Sequence, residues 1–204
     1  MIEGLTFRES DHTYAFNGQP VPNVTRVLSL ITDFSKIDPA VLERARQEGV
    51  DMHRCVELYS KGELDEPTLP EWLRPRLDAY KRFLAETGFE IDASEERLYH
   101  SGFRYAGTAD LFGRFTRFKV GRNEVQRTAC IDLKRSFYAG RAIGLQTAAY
   151  AEAWANRGNP DVQVRAALQL RDDGSYRLQV YSDPSDFHNF LSCLIVTRLK
   201  DHMK

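Results

Sequence analysis

The sequence predicts an α/β fold: a single domain with a central mixed β-sheet flanked by helices, preceded by an N-terminal β-hairpin and a short helical segment. Three observations point there. Helical and strand-like periodicities alternate along the chain, in the order hairpin, helices, a meander of strands, helix, strands, helix. The 204 residues suffice for one well-buried core and are too few for two comfortable domains. No internal repeat or low-complexity linker divides them. The expected parts are a hairpin within 1–25, a helical part over 39–90, a core over 95–181 and a C-terminal helix over 184–204.

Thr13-Tyr14-Ala15-Phe16 leads into Asn17-Gly18, a strong turn signal, and Gln19-Pro20-Val21 leads out, so a hairpin is expected. Asn23-Val24-Thr25 opens a short helical stretch from Arg26 to Ile31. A long helix is expected from Pro39 to Tyr59, with Asp38 as its cap. The next runs from about Glu71 to Glu86 on the stripe Leu73, Leu77, Tyr80 and Leu84, and Gly88 stops it. Strands follow at Arg97–His100, Tyr105–Phe118 and Val125–Leu133. A helix from Ala142 to Asn156 ends before Gly158 and Pro160. Strands Val162–Leu170 and Tyr176–Tyr181 flank an Asp173-Gly174 turn, and a last helix starts near Pro184.

No apolar run is long enough to span a bilayer, so no membrane partner is expected. The N-terminus lacks the basic-then-apolar layout of a signal peptide, and a cytoplasmic setting is the default. Cys55, Cys130 and Cys193 are odd in number and scattered, and are read as small buried hydrophobes. The net charge is −1, but Gly102–Arg141 carries nine basic residues against three acids. Such a stretch can form a local basic surface for a polyanion or simply a solvated hairpin.

Alternation in Ile131-Asp132-Leu133-Lys134 sends Ile131 and Leu133 to one face and Asp132 and Lys134 to the other. Gly121 is the midpoint of 110 and 132, so a symmetric hairpin places Asp110 opposite Asp132. Opposed residues have Cβ atoms roughly 4.5–5.5 Å apart. Two carboxylates that close repel unless a cation lies between them, and oxygen ligands suit Mg²⁺ or Mn²⁺. The alternative is that Asp132 pairs with Lys134 or Arg135 on an exposed face. Gln146 and Tyr150 share a helix face that can lie over this strand, because Ser136 to Gly144 is a short connection; Tyr150 can equally be a core aromatic. Gly140 and Gly144 could admit a phosphate at that helix start.

Gly107-Thr108-Ala109-Asp110, Ile131-Asp132-Leu133-Lys134 and Gln146-Thr147-Ala148-Ala149-Tyr150 together resemble the PD-(D/E)xK nuclease superfamily, in its RecB-like branch that includes phage exonucleases. Gly49-Val50-Asp51-Met52-His53 is similar to that branch's upstream G-x-x-x-H, with Glu57 one turn on. Glu95 matches the acid before the G-x-x-D strand, although Glu96 could hold that role. The resemblance runs from about Val21 to Tyr181 and implies a restriction-endonuclease-like core. It also implies that Asp110, Asp132, the Leu133 backbone carbonyl and His53 ligate Mg²⁺ or Mn²⁺. Glu95 would touch a second ion or a water on the metal, and Lys134 would orient the attacking water. Gln146 and Tyr150 would hold DNA backbone or the surroundings of Lys134, and the products would carry a 5′-phosphate. Arg135 and Arg141 are candidate phosphate contacts.

The expected activity is a DNA exonuclease in recombination or processing, of phage or prophage origin, acting in the host cytoplasm beside a single-strand annealing or binding protein. A catalytically silent nucleic-acid-binding module and a structure-specific or restriction-type endonuclease are the alternatives on the same fold. Three scattered cysteines predict no iron–sulfur cluster. No G-x-x-x-x-G-K-[ST] loop is present, so no ATP is expected, and no zinc spacing occurs.

Overall fold

The computed structural model of the chain describes residues 2–135 and 140–203. Strands β1 (Leu5–Arg8), β2 (Thr13–Phe16) and β3 (Gln19–Val21) form a small antiparallel sheet. The expected hairpin is β2–β3, with Asn17 and Gly18 in the left-handed region that such a turn needs. The sequence reading missed β1, a short strand on the hairpin's outer edge. Helix α1 (Val24–Leu28) starts two residues before the expected stretch, because Asn23 caps it by accepting from the Arg26 amide.

Helix α2 (Pro39–Lys61) is capped by Asp38, whose carboxylate accepts from Ala40 and Val41, and it ends at Gly62 with φ 71°. Helix α3 (Arg74–Thr87) starts three residues later than expected and stops at Gly88 with φ 60°. The later start carries Pro75 into its first turn, where the missing N–H costs nothing.

The main sheet has strands in the order β4 (Phe89–His100), β5 (Tyr105–Val120), β6 (Asn123–Lys134), β7 (Val164–Leu170) and β8 (Tyr176–Tyr181). Only β6 and β7 run parallel, joined through helix α4 (Gly140–Ala155) as a parallel crossover requires. Helix α5 (Asp186–His202) closes the described chain. The mixed sheet flanked by helices is the fold class expected. Strand β4 is much longer than the expected Arg97–His100, since its first half is charged and hides the period-two signal.

Alternation along the central strands builds a core on each face. Leu111, Phe115, Ile131 and Leu133 pack with α2 and α3, around Tyr80 and Phe83. Phe112 and Cys130 pack with α1, α4 and α5, where Phe112 stacks on Trp154 at 4.1 Å between ring centroids. Burying a phenylalanine such as Phe83 contributes roughly 3–5 kcal/mol by the cost of truncating it. The N-terminal sheet packs on β4 and β5 in a third, smaller cluster of Tyr14, Val21, Tyr99 and Ala106. Cys55 and Cys130 are buried, whereas Cys193 is partly exposed, and none of the three forms a disulfide. Among the described residues no helix is long and apolar enough to cross a membrane.

Candidate active site

The site forms where β5 and β6 part. Their pairing runs through Phe112↔Cys130 and Leu111↔Ile131, a register that continues to Asp110 opposite Asp132. The midpoint argument reaches this register by two compensating steps. The turn itself pairs Val120 with Asn123, which alone would carry Asp110 opposite Leu133. An irregularity between Phe115 and Phe118 then shifts the register by one residue. Beyond Leu111 the Asp110 side chain takes the place of a strand carbonyl, and its Oδ2 accepts from the Leu133 amide at 2.6 Å.

His53, from the middle of α2, reaches into this opening. Its Nε2 lies 3.2 Å from the Leu133 carbonyl oxygen, and its Nδ1 lies 3.4 Å from both Asp110 Oδ1 and Glu95 Oε1. One donor atom from each of His53, Glu95 and Asp110 falls within 4.8 Å of the others. Glu95 stands across β4–β5 from Asp110, between the pairs Ser94↔Leu111 and Glu96↔Ala109. It does so with φ 49°, a left-handed conformation that costs a non-glycine residue of order 1 kcal/mol. Glu96 instead pairs with Arg157 at 2.5 Å, so Glu95 is the glutamate at this site.

Asp132 and Lys134 form a neighbouring pair. Asp132 is only 1% exposed, and its Oδ2 is 2.5 Å from Lys134 Nζ. Lys134 is thus the partner of Asp132 Oδ2, while Asp132 Oδ1 accepts no hydrogen bond among the described residues. Asp132 is not one of the three residues whose donor atoms converge. The two aspartates therefore stand side by side with different partners.

The charges are strongly interdependent. Burial alone would push the His53 imidazole down, but Asp110 and then Glu95 outweigh it and hold it up to about 10. Burial opposes ionisation of Asp110, yet His53, Lys134 and the Leu133 amide keep it below the usual range. Burial pushes Asp132 up to about 6 against the pull of Lys134, with Asp110 adding to the rise. Burial would lower Lys134, and Asp132 with Asp110 holds it above its ordinary value. Burial also raises Glu95. A protonated imidazole is thus the cation between Asp110 and Glu95 when nothing else is bound.

One imidazole nitrogen and two carboxylates suit Mg²⁺ or Mn²⁺, the carboxylates being hard oxygen ligands and the imidazole favouring Mn²⁺. Asp132 Oδ1, buried and without a hydrogen bond among the described residues, fits a nearby cation as well, because an unsatisfied buried carboxylate oxygen is costly. The donor set fits a divalent ion.

Gln146 and Tyr150 do lie on one face of α4, and Gln146 Nε2 donates to Tyr150 Oη at 3.3 Å. Tyr150 is buried in the second core, and burial together with Asp110 and Asp132 raises its hydroxyl well above the ordinary value. A Cβ on Gly107 would lie 2.7 Å from the Tyr150 ring, so the space beside the G-x-x-D strand is filled by that ring. Arg135 pairs with Glu48 at 2.9 Å, and exposed Arg141 lies 3.7 Å from Asp183; neither belongs to the converging set. Glu57 pairs with Arg54 and Lys61 on α2.

Two expectations change. A Cβ on Gly144 would lie 2.8 Å from Asp186 Oδ2, so that glycine faces an acid and not a phosphate site. The basic stretch is not one free surface either: Arg114 pairs with Glu90, Arg117 donates to the Ala85 carbonyl, and Lys134 turns inward to Asp132. Residues 136–139 of the connection before α4 lie outside the described residues. The sequence reading gave no role to Tyr14, whose Oη is 2.6 Å from Thr108 Oγ1, or to Tyr181, whose hydroxyl is buried without a partner. A tyrosine in the hairpin carried no motif to mark it.

No known protein family matches the chain by its sequence profile. A stretch of 94 residues is 32% identical to a cysteine--tRNA ligase of Leuconostoc citreum (strain KM20), which covers 46% of this chain and 19% of that protein. The chain thus spans less than a fifth of that relative's length. Among solved structures, an alkaline exonuclease (LHK-Exo) from Laribacter hongkongensis is similar with a TM-score of 0.42 and 15% identity, over 87% of this chain and 86% of that one. The same exonuclease in complex with dAMP gives a TM-score of 0.42 and 14% identity, over 89% of each chain.

Proposed function

We propose that the chain is a divalent-metal-dependent DNA nuclease, an exonuclease that hydrolyses phosphodiester bonds in DNA recombination or processing, of phage or prophage origin. The observation that carries this reading is the convergence of His53, Glu95 and Asp110, with the Leu133 carbonyl on the other imidazole nitrogen, beside the buried Asp132–Lys134 pair. His53, Asp110, Asp132 and the Leu133 carbonyl would hold Mg²⁺ or Mn²⁺, with Glu95 at its edge. Such an ion lowers the pKa of water and neutralises charge on phosphoryl oxygens.

The chain's own groups do the rest. Asp132 and Asp110 keep the Lys134 ammonium charged, so it can orient the attacking water and stabilise the negative charge that develops on it. Asp110 is oriented by the Leu133 amide and cannot swing away without orphaning that donor. Gln146, partly exposed, can reach DNA backbone, while Tyr150 holds it from behind. Arg135 and Arg141 would contact phosphates from the rim.

The test is digestion of linear and closed-circular DNA with Mg²⁺, Mn²⁺ or EDTA. Metal-dependent loss of linear DNA alone supports the exonuclease, and nicking of circles points to an endonuclease. DNA binding with no cleavage under any metal would leave only a silent binding module. Metal-dependent cleavage that survives Asp132→Ala would overturn the site.

A further inference from the structure

Beside Asp132 and Lys134 stands a second tyrosine that the proposed reaction has not used. In the register of the last three strands, Asp132 pairs with Ala167 on β7, and Ala167 pairs with Gln179 on β8. One step along the same face, Cys130 pairs with Arg165 and Arg165 with Tyr181. Tyr181 therefore starts two strands across and two residues along from Asp132, roughly 12 Å away. On the strand between, Arg165 is opposite Tyr181 and Ala167, fully buried and no taller than a methyl group, is opposite Asp132, so a tyrosine side chain can lie diagonally over Ala167 toward Asp132 and Lys134.

The other wall of this path is Gly144 on α4. A Cβ there would lie 3.1 Å from Tyr181 Cδ1, so the ring packs directly against the glycine. Arg165 clamps the spot from below, donating to the Gly144 carbonyl at 2.8 Å and to Asp186 Oδ2 at 2.9 Å. Arg165 alongside and a glycine above seat the ring, and the small Ala167 leaves room toward Asp132. At its end the hydroxyl is buried and makes no hydrogen bond among the described residues. A buried phenol left unpaired is destabilising, so a partner that arrives later is the economical explanation. Asp132 and Lys134 both act electrostatically on it.

We infer that Tyr181 is a positioning residue for Lys134: its hydroxyl accepts a hydrogen bond from the Lys134 ammonium when Asp132 is engaged by a divalent cation. In the metal-free chain the ammonium rests on Asp132 at 2.5 Å. A cation at Asp132 competes for that carboxylate and repels the ammonium. A waiting acceptor keeps Lys134 inside the site, aimed at the water it is to orient, where otherwise it would swing to solvent. This inference rests on the nuclease reading above, but its physical core is a side-chain contact that can be observed without turnover.

The direct test uses ¹⁵N-lysine-labelled protein, with the Lys134 Nζ resonance assigned by its loss in Lys134→Arg. In the wild type that ammonium signal is expected to shift but stay protected on adding Mg²⁺. In Tyr181→Phe, which keeps the ring, it should broaden away through exchange with water once Mg²⁺ is added. Equal protection in both proteins would overturn the inference whether or not the chain cleaves DNA. On linear DNA with Mg²⁺, Tyr181→Phe should lower kcat about 10-fold or more, the worth of a hydrogen bond to a charged group, with KM and calorimetric Mg²⁺ affinity within about twofold. An unchanged kcat in a cleaving wild type would sink the inference and leave the nuclease reading standing. A wild type inactive in every metal would sink that reading, while the resonance would still decide the contact.

Discussion

At the scale of single residues, His53 is the pivot. Its imidazolium occupies the concentration of negative charge between Asp110 and Glu95. Its folded pKa of about 10 lies above the ordinary 6.5, so this ion pair stabilises the fold fully below pH about 6.5 and progressively less as the pH rises through about 10. Metal-free protein in EDTA should lose Tm between pH 7 and 10, and His53→Gln should flatten that slope. Metal binding must displace the same proton, so the Tm increment given by Mg²⁺ should grow over the same window. Scanning fluorimetry with EDTA or Mg²⁺ across pH measures both, and an increment that shrinks with pH would exclude His53 as a ligand. Glu95 and Glu96 give a sharper contrast. Glu95 faces the imidazole, while Glu96 faces Arg157 at the surface. Glu95→Gln should reduce metal-dependent cleavage beyond the roughly 10–100-fold of a supporting group. Glu96→Gln should leave the rate near wild type and cost about 0–1 kcal/mol of stability.

At the scale of elements, the site depends on close approaches that glycine allows. Gly107 on β5 lets the Tyr150 ring of α4 lie against the strand that carries Asp110. Gly107→Ala places a methyl 2.7 Å from that ring, so α4 must shift outward or Tyr150 must leave its rotamer. Overpacking of this kind costs roughly 1–3 kcal/mol, a fall in Tm of several degrees for a chain of this length. Thermal melts and kcat should fall together, whereas an unaltered Tm would mean that α4 has slack there. The same elements decide what could be read from sequence. Apolar alternation in Leu111 and Phe112 and in Ile131 and Leu133 marked β5 and β6 and set which side chains turn inward. Caps marked the long helices, since Asp38, Gly62 and Gly88 act within one turn of their own positions. The bulge between Phe115 and Phe118 left no local signal, because Thr116 and Arg117 are neither glycine nor proline. Nor could spacing show that His53 and Glu95 converge on Asp110 while Asp132 pairs with Lys134. That division depends on α2 crossing the strand opening, which is a tertiary fact.

At the scale of the whole molecule, the question is how a chain of net charge −1 would hold the polyanion proposed as its substrate. Global attraction is absent, and several arginines of the basic stretch are already paired, Arg114 with Glu90 and Arg135 with Glu48. Affinity must then come from a few local contacts at the site and its rim. Each phosphate contact releases condensed counterions, so log Kd rises with log salt by roughly 0.7 per contact on single strands and 0.9 on duplex. A shallow slope, equivalent to about two to four phosphates, is therefore expected when binding is measured with Ca²⁺ in place of a turnover-supporting ion. Arg141 is exposed at the start of α4, with Asp183 only loosely paired at 3.7 Å. Arg141→Ala should lower the slope by about one contact and leave the Mg²⁺-induced Tm shift unchanged. Arg135→Ala also frees Glu48, which repels phosphate, so it should weaken binding more than its loss of slope implies. Fluorescence anisotropy at four or five salt concentrations separates these outcomes. A steep slope that neither variant alters would place the DNA on a different face of the molecule.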